Sequence, residues 1–262
     1  MLSLMPKNEL EIHLKNFLEY TAERFIEEMA ENELILNDRF DKDNIEFMLG
    51  EFIKSIEIEN DINIGRMLGV ERESGTLLIN SAYFRDWGKI TDTKNQDYSA
   101  QHFRLFQKSL FHEFFHMLQT EDSRKVNSDA MDEIAASLTE QKLWRSYLKK
   151  QGIVGNIPVS YPELAYPAQN ICKELGINEN DIIMSTTAFD NGRQKSIIKQ
   201  FKNNDLNYFK DFIEPLDEIY QMDRYERWEE CPLDKEEIEN RKVTARTKLT
   251  KTQKASAMEN VQ

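Results

Sequence analysis

Residues 103–118 read "FRLFQKSLFHEFFHML", most of a long helical stretch over about 101–120. Phe103, Leu105, Phe106, Leu110, Phe111, Phe114, Phe115, Met117 and Leu118 cover nearly every side of a helix. A helix that is apolar all round is a buried one, so the chain must fold about this segment. Yet the same stretch holds His112, Glu113 and His116. Burying two imidazoles and a carboxylate without partners costs on the order of several kcal/mol. A bound divalent cation is one economical way to satisfy all three.

The spacing suits that chemistry. Residues four apart on a helix lie about 40° apart in projection and one turn along the axis, so His112 and His116 can aim at a single point. Neutral imidazole nitrogen is a preferred zinc ligand. Glu113, on the adjacent edge of the helix, can reach a water held by the metal without becoming a ligand, which is the mechanical content of a His-Glu-x-x-His motif.

A zinc site needs a third protein ligand. The next helical stretch, "MDEIAASLTEQKLWRSYLKK" (131–150), supplies candidates. Glu133 is favoured because Ile134, Ala135 and Ala136 beside it are apolar or small and permit close helix packing. Glu140, two turns on and on nearly the same face, is the fallback, with Asp129 and Asp132 weaker options. Tyr83, Tyr161 and Tyr166 are hydroxyls within conceivable reach of such a site, although core or loop roles account for each.

Composition limits the alternatives. The chain has 262 residues, 40% apolar and 31% charged, with 9 glycines and 6 prolines, a helix-leaning globular balance. A formal net charge of -13 disfavours nonspecific attraction to nucleic acids and anionic membranes. Cys172 and Cys231 lack Cys-x-x-Cys spacing, which argues against a cysteine zinc site and a disulfide framework. No stretch approaches the roughly 20 apolar residues of a membrane span, and the first 20 residues lack the pattern of a signal peptide. A cytoplasmic location is the resulting expectation, with signal-independent export left open.

Apolar spacing predicts an amphipathic helix over 8–31 and a second one through Ile45, Phe47, Met48, Phe52 and Ile53. Two β-prone runs in 65–84, separated by "ESG", predict a hairpin, and 86–99 reads as a loop. Gly and Pro punctuate 151–167 as a further loop, followed by helical segments near 167–175, 179–190, 193–202 and 205–222. Beyond 234 the apolar content falls, and 241–254 carries six basic residues and no acidic one, predicting a partly helical or disordered tail. A weak nucleic-acid or partner contact is conceivable only there.

"HEFFH" followed by "DEIAAS" resembles the gluzincin superfamily of zinc metallopeptidases, which includes thermolysin-like proteases and zinc aminopeptidases. The resemblance spans roughly residues 65–145. It implies Zn2+ as cofactor, with His112, His116 and Glu133 as ligands and Glu113 as general base. It also implies a peptide or protein substrate, and a hairpin ahead of the motif that pairs with extended substrate. Ser137 stands where such enzymes often have an acidic residue, and no third histidine follows closely, unlike the metzincins.

The fold expected is α+β and predominantly helical: a zincin-like core with a small β-hairpin or sheet before the His-Glu-x-x-His helix, and a helical C-terminal half. Residues 1–233 would form one metallopeptidase-like domain, divided at 100 and 150, with 234–262 as the tail. The function expected is zinc-dependent peptide-bond hydrolysis. The alternatives are a non-catalytic metallopeptidase-like or helical interaction domain, and a regulatory protease that cleaves one intracellular partner.

Overall fold

The computed structural model describes residues 7–34, 47, 50, 55–59, 68–71, 76–80, 101–119, 128–155, 157–187, 191–226 and 231–259, and these are predominantly helical. Two units are formed: Met1–Leu118 with Lys142–Gly155, and Gln119–Gln141 with Asn156–Gln262. Of the second expected amphipathic helix only Phe47 and Gly50 are among the described residues, both helical; the expected loop over 86–99 and Tyr83 lie outside them.

In the first unit, helix α1 (Lys7–Glu31) and helix α2 (Gln101–Leu118) meet through aromatic rings. Phe25 sits edge-on to Phe111 and Phe114, at 5.6 and 5.8 Å between centroids, and Phe17 packs on Phe106 at 5.4 Å. Phe111 also meets Trp144 at 5.6 Å, on the later turns of helix α3 (Asp129–Lys150). From Leu110 to Leu118 every residue except Glu113 is buried, whereas Leu105 near the start of α2 is exposed. The all-round apolar pattern therefore describes the second half of the helix, the half that carries the histidines.

Lys150 closes this arrangement by ion-pairing with the buried Glu28 and, at 2.6 Å, with Glu31. Strands β1 (Ser55–Glu59), β2 (Leu68–Glu71) and β3 (Thr76–Asn80) form a sheet in the order β1-β3-β2. β1 runs parallel to β3, and β2 pairs antiparallel with β3 in the register Leu68↔Ile79 to Glu71↔Thr76.

The second unit contains helices α4 (Pro162–Glu174), α5 (Glu179–Ser185), α6 (Asn191–Asn203), a π-helical turn (Tyr208–Ile213), α7 (Glu214–Tyr225) and α8 (Lys235–Glu259). The loop expected over 151–167 is shorter than the proline content suggested. Pro162 stands in the first turn of α4, where its missing N–H costs nothing, and Pro167 is accommodated inside the helix.

The expected tail contains a 25-residue helix with one side buried. Ile238, Lys242, Ala245, Leu249, Thr252 and Ser256 are buried along α8 at alternating four- and three-residue steps. That is helical periodicity, but half of the positions are polar, so hydropathy alone does not show it. Polar contacts hold this stripe. Thr252 Oγ1 donates to Asp211 O at 3.0 Å, a carbonyl to which Pro215, four residues on, brings no N–H. Lys242 Nζ reaches Asp223 at 2.5 Å and Glu226 at 2.8 Å.

Burial opposes the charge on Lys242, but its hydrogen bonds to Asp223 and Glu226 outweigh that and raise its pKa. A pKa raised in the folded state gives stability that is full below the ordinary lysine value and fades as pH climbs through the folded one. The pairing therefore contributes throughout the neutral range. Lys242→Met, which keeps the stem and deletes the charge, is expected to lower the unfolding free energy by about 1–2 kcal/mol at pH 7 in a urea titration, because it leaves the half-buried Asp223 without its counter-charge. A variant as stable as the parent would show that the pair contributes nothing net.

Candidate metal centre

His112 and His116 occupy adjacent turns of α2, and each is only 6% exposed. Their Nε2 atoms are 3.0 Å apart and the rings meet edge to face. Two zinc-bound nitrogens at about 2.05 Å and a tetrahedral angle would be roughly 3.3 Å apart. The pair thus already has nearly the separation that one ion imposes.

Helix α3 is started by two separate caps. Ser128 Oγ accepts from Met131 N at 3.2 Å, and Asp217 Oδ1 of α7 accepts from Ala130 N at 3.3 Å. Both satisfy N–H groups that the first turn of a helix leaves unpaired. Asp129 and Asp132 in that turn complement the helix dipole. Burial raises the pKa of Asp217, against the lowering effect of its bonds to Ser128 and Ala130. One turn on from the caps stands Glu133.

The ligand atoms of His112, His116 and Glu133 lie within 4.8 Å of one another. The ideal separation being about 3.3 Å, the widest gap in the set exceeds it by at most ~1.5 Å, which small adjustments shared among the three side chains span. Two buried imidazoles and one carboxylate are the donor types that zinc takes in a site with an open fourth position. The residues present therefore fit the ion.

The other sequence candidates fall elsewhere. Among the described residues Glu140 and Asp132 are buried but outside the group of three, and Asp129 is exposed. Glu113 follows His112 directly, is half-exposed, and is not one of the converging ligands. Gln119, just past the end of α2, donates to Asp132 O at 2.9 Å and to Thr186 Oγ1 at 3.0 Å.

Sequence reasoning missed Tyr220. Its hydroxyl, on α7 and 87 positions from Glu133, donates to Glu133 Oε1 at 3.2 Å. Burial, then the charge of Glu133, raises the phenol's pKa, so it keeps its proton. Tyr161 packs edge-on to the Tyr220 ring at 6.1 Å, while Tyr166 is exposed. Tyr161 holds a left-handed backbone conformation, φ 47 and ψ 57, which costs a bulky L-residue about 1–2 kcal/mol. Nothing in the local sequence marks Tyr220, since the link is made only by the folded chain.

Compared with protein-family models, curated proteins and solved structures, the chain matches none.

Proposed function

We propose that the chain is a zinc-dependent metallopeptidase. The observation that carries this reading is the approach of His112, His116 and Glu133, drawn from two helices, to within 4.8 Å of one another. A buried set of two imidazoles and a carboxylate, with a glutamate next to the first histidine, suits hydrolysis better than a structural zinc site, which would be closed by a fourth protein ligand.

Zinc would supply Lewis acidity, lowering the pKa of water toward neutrality and polarising a scissile carbonyl. Glu113 would take the proton from the attacking water and pass it to the leaving amine. His112 and His116 would hold the ion, on a helix anchored by the ring contacts of Phe111 and Phe114. Strand β2, at an edge of the three-stranded sheet among the described residues and in contact with α2, would be the strand to pair with an extended substrate in a zincin-like core.

A second reading has a specific observation behind it. The 3.0 Å contact between the two Nε2 atoms is also a good hydrogen bond if one imidazole donates and the other accepts, which would satisfy these two nitrogens in a metal-free interaction domain. Elemental analysis separates the readings. Protein purified under zinc-replete conditions is expected to carry near one zinc per chain and to cleave members of a peptide mixture, followed by mass spectrometry. Absence of bound metal would overturn the metallopeptidase reading.

No transmembrane role enters this proposal: among the described residues no helix is long and apolar enough to cross a membrane.

A further inference from the structure

We infer that Tyr220 is a positioning residue, whose hydroxyl fixes the carboxylate of Glu133 for metal ligation. The inference rests on reading the three-residue cluster as a zinc centre. A free glutamate on a helix samples several rotamers, and a ligand that must be ordered at each binding event loses affinity accordingly. A hydrogen bond from a buried phenol to one carboxylate oxygen selects a rotamer and a plane before the ion arrives.

The geometry around Tyr220 supports a holding role. Helices α3 and α7 are joined at two points with matched spacing. Asp217 accepts from the N–H of Ala130, and three residues further along each helix Tyr220 donates to Glu133. The first contact fixes the register of the two helices, so the second is delivered by the fold and not by chance side-chain encounter.

The donor itself is immobilised. Tyr220 is 9% exposed, its ring is met by Tyr161 at 6.1 Å, and the Arg224 guanidinium lies 5.9 Å from its centroid. Tyr161 adopts its strained backbone at the point where it contacts this ring. Strain of that kind persists only where the surroundings over-determine it, and it is concentrated at sites with a task. Partners that orient metal ligands typically change metal affinity about 10- to 100-fold when removed.

The test is a cycle of four proteins: the parent, Tyr220→Phe, Glu133→Gln, and the double variant. Zinc affinity is measured by competition with a chelator, and folding by circular dichroism. Tyr220→Phe keeps the ring and its packing and removes only the oxygen. It is expected to weaken zinc binding about 10- to 100-fold in the parent, and less than about threefold once Glu133 is already Gln. The Co2+-substituted protein should show an altered visible spectrum in Tyr220→Phe, because the ligand field at the carboxylate changes.

Unchanged affinity and spectrum in Tyr220→Phe would overturn the inference while leaving the zinc centre intact. Equal weakening in both backgrounds would also overturn it, since that is what a purely structural tyrosine does. A parent protein that binds no zinc would instead overturn the metal-centre reading itself.

Discussion

A Glu113→Gln protein is expected to keep its fold and near one zinc per chain while peptide hydrolysis falls by about 10²- to 10⁴-fold, the usual contribution of a positioned general base. Glutamine matches glutamate in size and shape but takes no proton at neutral pH. Glu113 is not among the three converging ligands, so its replacement leaves His112, His116 and Glu133 untouched. It is also the one residue between Leu110 and Leu118 that is not buried, so the core of α2 loses no packing. Turnover, zinc content and circular dichroism are measured on the same preparation. If the parent ignores generic peptides, a co-purifying protein serves as substrate, which is the behaviour expected of a protease dedicated to one partner. Full activity in Glu113→Gln would sink the assignment of the base, and loss of zinc would show that Glu113 is a ligand instead.

What could be read from the chain was whatever depends on local periodicity. Two imidazoles four residues apart on an apolar helix are placed together by helix geometry alone, and α2 places them so. Glu133 was singled out for the small neighbours at 134–136, and its carboxylate lies within 4.8 Å of both imidazoles. Tyr220 was not, because its approach to Glu133 depends on how α7 docks, a long-range result with no local signature. The helix over 235–259 was hidden for a different reason. Its buried stripe is half lysine, threonine and serine, satisfied by Asp223, Glu226 and a carbonyl freed by Pro215, so burial there does not follow hydropathy. Proline likewise misled at 162 and 167, where the ring begins or interrupts a helix that the packing sustains.

His112→Ala is expected to abolish zinc binding at micromolar metal and, with it, the stabilisation that zinc confers on the parent. An ion that binds only the folded chain adds about 4 kcal/mol when present at ~1,000 times its dissociation constant. The parent's thermal midpoint should therefore rise by several degrees on adding zinc and fall back on adding a chelator, whereas the variant's should not move. The comparison also distinguishes the two ways in which a buried histidine pair can be satisfied. If the 3.0 Å contact is simply a hydrogen bond within a core, His112→Ala leaves His116 buried without that partner and opens a cavity, so the variant is destabilised with or without metal. In that case zinc changes neither protein. If the pair is a metal centre, the variant's deficit relative to the parent grows with zinc concentration, by about 1.4 kcal/mol for each tenfold increase once the site is saturated. That dependence has no counterpart in a metal-free core, and its absence would return His112 and His116 to ordinary packing residues.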